Sequence, residues 1–590
     1  MTAQCGERRG AAVSLALVGL MWLLPFLQPI HWYPLTSFYS EWLAIALGIA
    51  ALFVLAGRAA WADLQLPLIA LYPVALAALI MVQYSLGGLP YAGPLLTAAL
   101  YLVWAALLVA LGAFLRRVFG LAAVATALAW FLVAGGLMNA LAGFLQHLQV
   151  STVLDAVVSK SNAIYVYGNL AQRNHYANHL TLALVSLVYL FARGNLGRLA
   201  VAACAAAILL ALPLAGSRSV WLYLAMLLVL ALWPLAGARA DAVARMRGLV
   251  LGASGGFVLA QWAVTLPWFT SGLGVEAPSE RLFEVAAGMA ERLQLWGEAW
   301  WMFVQSPLTG VGFGQFAWQH TLFQAAFPAA ALLGNFNHAH NILLQLLAET
   351  GMVGVVLVVA AAVGWLAGLR GVRLTLEHWW LLGLLGVISV HSMIEMPLWY
   401  AYFIAVAAIA LGLGATRFVA LKSSMLSRVA LVLILAVGAI NAGGVLSSYR
   451  GFEPLFTRAP GTLPSAELTG IVMRTHRDVL LEPYAELVAS FAIVVDDNAL
   501  EEKVELNGRV MRFVPLDVVV HRQALLLAMR GELREAEAAL ALAVRVYPWE
   551  LDNTIARLRN LDRKYPGRFG PLLELATANS GRAPVPHATR

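Results

Sequence analysis

Apolar residues come in long blocks along this chain, and polar residues gather between them. A helix needs about 20 apolar residues to cross the hydrocarbon of a bilayer. Windows of that kind fall near residues 11–30, 42–57, 67–85, 94–115, 119–147, 177–192, 199–215, 219–237 and 248–269. Four more fall near 341–368, 379–395, 397–414 and 428–448. The pattern predicts an all-α, polytopic integral membrane protein with about 13 transmembrane helices. Arg8 and Arg9 precede the first block as they would in a signal peptide, but no convincing small-residue cleavage site follows. That block is therefore read as an uncleaved first helix.

Residues 270–340 form a large loop with a different period. At about 100° per residue, Glu280, Glu284, Glu291 and Glu298 share one side, and Leu282, Val285, Met289, Leu293, Trp296, Trp300 and Phe303 the other. An amphipathic helix of this kind is expected to lie in the outer interface, with Arg292 at the border of its apolar face reaching a lipid phosphate. Beyond residue 448 the chain turns charged and helical. Small and apolar residues at helical spacing from Val519 to Pro548 read as one helix-turn-helix unit similar to a tetratricopeptide repeat. The organisation expected is a membrane domain over 1–448, with the 270–340 loop within it, and a helical external domain over 449–590 whose tail after Gly581 is disordered.

Composition agrees. The 590 residues are 61% hydrophobic and 12% charged, against about a quarter charged in soluble domains. Soluble, disordered, disulfide-stapled and nucleic-acid-binding classes are excluded together. The net charge of +7 does not mark a polyanion partner: residues 449–590 carry 18 basic and 18 acidic side chains, leaving 20 and 13 in residues 1–448. With the N-terminus cytoplasmic, fifteen of those twenty basic residues face the cytoplasm, as the positive-inside rule expects. Lys160, Arg173, Arg218, Arg281 and Arg292 are left outside. A cation in a short translocated turn needs a reason, and Arg218 stands in such a turn, Gly216-Ser217-Arg218-Ser219. Cys5 and Cys204 lie too far apart in character for a mutual disulfide.

Four external clusters could carry chemistry. One is the polar run from Gly168 to His179, with Gln172, Asn174 and His175 at the mouth of a span. Another is Arg218. A third is Arg292, followed by Ser306-Pro307-Leu308-Thr309-Gly310-Val311-Gly312-Phe313-Gly314, whose glycines would let backbone approach a ligand, though no Gly-Lys-Ser/Thr closes a phosphate loop. The fourth is Asn337-His338-Ala339-His340-Asn341. Its paired imidazoles lack the acidic or Cys partners of a zinc site, so no metal or other cofactor is expected. Paired guanidiniums clamp phosphate oxygens, and a neutral imidazole can take a proton from a hydroxyl. Together they suit transfer of a glycosyl group from a lipid-linked pyrophosphate, with His340 as base and Arg218 and Arg292 stabilising the departing pyrophosphate.

These residues also resemble a family. His338-Ala339-His340-Asn341 followed by Leu346-Leu347-Ala348-Glu349-Thr350-Gly351-Met352-Val353-Gly354 looks like the signature of the O-antigen ligase and polymerase (Wzy/WaaL) superfamily. The Gly216-Ser217-Arg218 turn and the spacing of Arg292, Trp296, Pro307, Gly310, Gly312 and Gly314 resemble its other marks. Gly168 to Asn174, His391-Ser392-Met393-Ile394-Glu395-Met396-Pro397-Leu398-Trp399-Tyr400 and the helical C-terminal domain resemble its PglL-type protein O-oligosaccharyltransferases.

The resemblance implies a metal-independent enzyme of the bacterial inner membrane with its active site facing the periplasm. It would transfer an oligosaccharide en bloc from undecaprenyl pyrophosphate to Ser or Thr of a periplasmic acceptor such as type IV pilin. His340, Arg218 and Arg292 would be catalytic, and Gln172, Asn174, His175, His338 and Asn341 would bind substrate. Transfer to lipid A core, or polymerisation of O-antigen, is the same chemistry on another acceptor. Glu349, about two and a half turns beyond His340, is expected to have a structural role. Glu395 and His391, four residues apart, are expected to pair with each other. A lipid transporter is the non-enzymatic alternative, but its matching halves with interrupted helices are not found.

Overall fold

A computed structural model describes residues 2–56, 65–160, 165–266, 278–327, 335–420, 425–458 and 463–579. Each apolar window coincides with helix. They are α1 (Thr2–Met21), α2 (Phe38–Leu52), α3 (Leu71–Ser85), α4 (Gly93–Phe119), α5 (Leu121–Leu148), α6 (Arg173–Arg193), α7 (Arg198–Leu214), α8 (Ser219–Leu232) and α9 (Ala240–Ala263). The loop then supplies α10 (Pro278–Gln305) and α11 (Phe316–Ala326), and the remaining apolar helices are α12 (Ile342–Gly368), α13 (Leu376–Ser392), α14 (Ala401–Leu413) and α15 (Met425–Phe452). Among the described residues nine helical stretches are long and apolar enough to cross a membrane, while α7, α8 and α14 are shorter apolar helices. The tail after Gly581 lies outside the described residues, as do the side chains of Glu280, Arg281, Leu282, Glu284 and Val285.

Helix α6 is the centre of the bundle. Nearly all of it is buried, whereas α15 at the periphery has few buried residues. This encirclement explains how α6 carries His175, Asn178, His179, Thr181 and Ser186 through an apolar bundle: they face protein instead of lipid. Asn139 of α5 lies 3.1 Å from His179 Nδ1 and donates to Phe26 O, Trp380 donates to Ser186 Oγ, and Glu377 accepts from Arg193 at 2.7 Å.

One small departure from an all-α chain is a ribbon of two three-residue strands. β1 (Gln65–Pro67) pairs antiparallel with β2 (Phe418–Ala420), Leu66 opposite Val419. Two inter-helix segments meet there and satisfy one another's backbone groups.

Beyond α15 stands an all-helical unit of α16 (Ser465–His476), α17 (Glu482–Ser490), α18 (Leu500–Phe513), α19 (Asp517–Arg530), α20 (Leu533–Val546), α21 (Leu551–Lys564) and α22 (Gly570–Asn579). Helices α19 and α20 form the expected helix-turn-helix, closed by Gly531 at φ 91°. Their apolar faces share one core with α18, α21 and α22, including Val504, Leu526, Leu540, Leu558 and Leu572. Several joins fix the unit to the rest. Glu486 accepts from Arg509 and from Tyr91, and α11 packs against α20, where Arg545 bonds the carbonyl of Ala325.

Candidate functional site

The site is built where four segments of chain meet at one carboxylate. Glu395 stands in the turn after α13, and its Oε1 accepts from Asn174 Nδ2 at 2.8 Å and from Arg292 Nη2 at 3.4 Å. Its Oε2 lies 3.1 Å from His340 Nδ1. A carboxylate accepts only, so the imidazole proton belongs on Nδ1 and the lone pair of Nε2 is left for another partner. Asn174 Oδ1 in turn accepts from Ser217 Oγ at 2.8 Å, which draws in the Gly216-Ser217-Arg218 turn. Burial alone would raise the Glu395 carboxyl. The hydrogen bond from His340 and the nearby imidazoles of His340, His391 and His175 outweigh it and hold the group down at about 2.

Local structure sets each contributor. Asn341 caps α12, its Oδ1 accepting from the amides of Leu343 and Leu344, while its Nδ2 donates to Met393 O in the turn that carries Glu395. His340, just before the cap, takes a left-handed backbone at φ 50°. A side chain other than glycine pays for that conformation, and the loop is held in it from both sides: Trp296 donates to Ala339 O and Gln345 accepts from Ala339 N. His338 packs edge-on against His340 with ring centroids 4.1 Å apart. Burial, with His340 beside it, pushes the His338 imidazole down to about 4.

The two arginines reach the same place differently. Arg292 is one turn beyond Gly288 on α10, and a Cβ at Gly288 would lie 3.9 Å from Arg218 Nη2, so both guanidiniums border one stretch of α10. Arg218 is exposed and has no carboxylate partner among the described residues. Arg292 is turned to Glu395 in place of the lipid phosphate expected for it.

Other expected binding residues are distributed. Gln172 caps α6 by accepting from His175 N. His175 is buried under Tyr400, 4.7 Å between ring centroids, with Tyr402 Oη 3.3 Å from its Nδ1, and does not line an open surface. Asn174 belongs to the central network.

Several expectations are corrected. Glu395 and His391 do not pair: His391 Nδ1 is 2.6 Å from Tyr223 Oη, leaving Glu395 to the site. Glu298, assigned to the polar face of α10, is fully buried, with His320 Nδ1 at 2.5 Å and Gln294 beside it. The opposite stripe of Met289, Leu293 and Trp300 is exposed, as a face expected to meet the outer interface would be. The glycine-rich turn approaches backbone of its own chain. Helix α12 breaks at Gly351 (φ 64°, ψ −162°), and the freed groups of Ala348, Glu349, Met352 and Val353 pair with Pro307, Leu308, Val311 and Gly312. Glu349 is structural, accepting from Phe316 N at the start of α11.

The comparisons fall on these segments. Residues 202–359 match the O-antigen ligase family model, 379–559 the model for the C-terminal part of virulence factor membrane-bound polymerase, and 166–191 that for protein glycosylation ligase. A general O-oligosaccharyltransferase of Acinetobacter baylyi (strain ATCC 33305 / BD413 / ADP1) is 25% identical over 407 residues, covering 68% of this chain and 69% of the relative. No solved structure matches. Arg218, Arg292 and His340 thus fall in the segment similar to O-antigen ligase, Asn174 in the one similar to protein glycosylation ligase, and Glu395 in the one similar to the polymerase C-terminal part.

Proposed function

We propose that the chain is a glycosyltransferase that moves an oligosaccharide en bloc from undecaprenyl pyrophosphate to Ser or Thr hydroxyls of a periplasmic protein such as a pilin. The observation that carries this reading is the single carboxylate of Glu395 bound to His340, Asn174 and Arg292. His340 Nε2 accepts the proton of the acceptor hydroxyl as its oxygen attacks the anomeric carbon. The bond from that carbon to the diphosphate oxygen breaks, and the lipid diphosphate leaves with the bonding pair. Glu395 holds the ring and stabilises the imidazolium as it forms, while Arg218 and Arg292 take the charge of the leaving group. Guanidinium charge supplies what a metal ion supplies in other phosphate chemistry, and chelator is expected to leave the rate unchanged. Placing the site in the periplasm goes with thirteen crossings of the inner membrane, a cytoplasmic N-terminus and an external C-terminal domain that contains a tetratricopeptide-like pair.

The test is transfer by the purified full-length protein from a defined lipid-linked glycan to candidate acceptor proteins, read by intact mass. A glycan gained on Ser or Thr, lost in His340→Ala, supports the reading. Glycan appearing only on lipid A core or on growing O-antigen would move it to the second reading, which the O-antigen ligase match favours.

A further inference from the structure

Helices α7 and α9 run side by side and leave between them an open cleft of about 390 Å³. Its walls are alanine, glycine and leucine, among them Ala202, Ala206 and Leu210 on α7 and Gly252, Gly256 and Ala263 on α9. The volume is within the range of about 300–1,000 Å³ usual for ligand pockets. Packed helices fill such a gap with larger side chains, and α9 has room for one, since a Cβ at Gly252 would meet nothing within 4 Å. Only on the floor is glycine needed by the packing, where a Cβ at Gly256 would come 3.0 Å from Leu209.

The mouth of the cleft has the opposite character. Successive spans alternate in direction, so the C-terminal ends of α7 and α9 lie on the same side. Four residues past the end of α7 stands Arg218, and Ala263 at the end of α9 is itself part of the lining. Arg218 is exposed, without a carboxylate partner among the described residues, and borders the stretch of α10 that carries Arg292. A cleft without polar side chains calls for hydrocarbon. A guanidinium four residues beyond the end of the cleft's α7 wall, with no carboxylate partner among the described residues, calls for an anion.

We propose that the α7–α9 cleft seats the head-proximal isoprene units of a polyprenyl diphosphate while Arg218 and Arg292 hold its diphosphate. The proposal rests on the donor chemistry given above and deepens it. Methyl branches would sit in the notches left by Ala202, Ala206 and Gly252. A phospholipid is a poorer match, because the common zwitterionic headgroup brings its own cation against Arg218. A second copy of the chain could lay a helix there, but would leave Arg218 without an anion.

The test uses the full-length protein in nanodiscs and a polyprenyl diphosphate bearing a diazirine in its head-proximal units. Crosslinks are expected on peptides spanning 202–210 and 249–263, competed by unlabelled undecaprenyl diphosphate. Ala206→Leu with Gly252→Leu fills open space and should cut labelling roughly tenfold. The same pair should raise KM roughly tenfold for the polyprenyl-diphosphate donor and leave KM for the acceptor protein unchanged. Labelling elsewhere overturns the proposal, as does equal, uncompeted labelling by a photoreactive phospholipid. Conversion of a dimer to a monomer by Gly252→Leu with labelling unchanged assigns the cleft to a second copy and overturns it too. Transfer that proceeds with an unchanged donor KM sinks the cleft and leaves the proposed function standing. Competed labelling in a protein that transfers no glycan does the reverse.

Discussion

Glu395→Gln isolates what the carboxylate adds beyond shape. The amide keeps the size of the side chain and removes its charge, which faces His340 Nδ1 at 3.1 Å and Arg292 at 3.4 Å. When His340 accepts the acceptor's proton, an imidazolium forms beside that charge. Unit charges about 4 Å apart attract by about 4 kcal/mol at an effective dielectric near 20. Arg292 and Asn174 already draw on the same carboxylate, so about half that value, about 2 kcal/mol, is taken as specific to the transition state. At 1.36 kcal/mol per decade this is a fall of roughly 30-fold in the chemical step. Arg292 meanwhile loses an intramolecular partner and becomes freer to bind diphosphate, so the donor KM should stay level or drop. Rapid-quench single-turnover transfer from a defined lipid-linked glycan to an acceptor peptide measures the rate, and a donor titration gives KM. A folded Glu395→Gln protein within threefold of the parent rate would refute the role given to the carboxylate. A rate loss explained wholly by a higher donor KM would refute it as well.

Further outcomes follow from the same geometry. Glu395 (about 2, against 4.5) and His338 (about 4, against 6.5) both have lowered pKa values in the folded protein. The unfolded chain therefore binds more protons between pH 2 and 6.5, and stability should rise with pH across that window. Thermal midpoints against pH should show this; His338→Asn should flatten the part from 4 to 6.5 and Glu395→Gln the part below 4.5, and an unchanged slope in both would contradict the assignments. Gly351→Ala places a Cβ 2.4 Å from Leu308 C at a left-handed backbone, so a loss of about 1–3 kcal/mol or more in unfolding free energy is expected, and a neutral result would contradict the junction. Glu298→Ala leaves Nδ1 of buried His320 without its partner and should destabilise by roughly 1–3 kcal/mol, whereas Glu298→Leu combined with His320→Leu should recover much of it, as a double-mutant cycle of unfolding would reveal. His340→Asn should abolish transfer while His338→Asn retains a measurable rate, and equal loss in both would reopen which imidazole is the base.

Periodicity made the helices legible, because a block of apolar residues leaves the backbone no partner but its own preceding turn. Which face of a helix meets water was less so. The rule that groups Glu291 with Glu298 says they share a side; it does not say that α11 will bring His320 against that side. Glu395 shows the same limit. Helical spacing paired it with His391, but Tyr223 from another helix takes the imidazole, and Asn174, 221 residues earlier in the chain, takes the carboxylate. The polar run around Asn174 and the His-Ala-His segment were each conspicuous as clusters of groups needing partners. Nothing local indicates that one carboxylate serves both. Gly310 signals a backbone without room for a side chain, and only the fold identifies the approaching object as the broken helix at Gly351.

That break places the whole site under the control of α10 and α11. Because α12 is interrupted at Gly351, the turn from Pro307 to Gly312 is bonded to it by backbone and cannot slide. The turn joins the end of α10 to the start of α11, so both helices are pinned at that point. Two of their other fastenings are polar: Trp296 to the carbonyl of Ala339, and buried Glu298 to His320. The first ties Arg292's helix to the loop that holds His340 in a left-handed backbone. The second ties it to α11, whose far side rests on α20 of the C-terminal unit. Each fastening satisfies a polar group that would be costly to leave unpaired, so their strengths add to the rigidity of one frame. The distance between the imidazole and the guanidinium is therefore set by packing that reaches into the C-terminal helices, so under the proposed function that unit would help position the two groups.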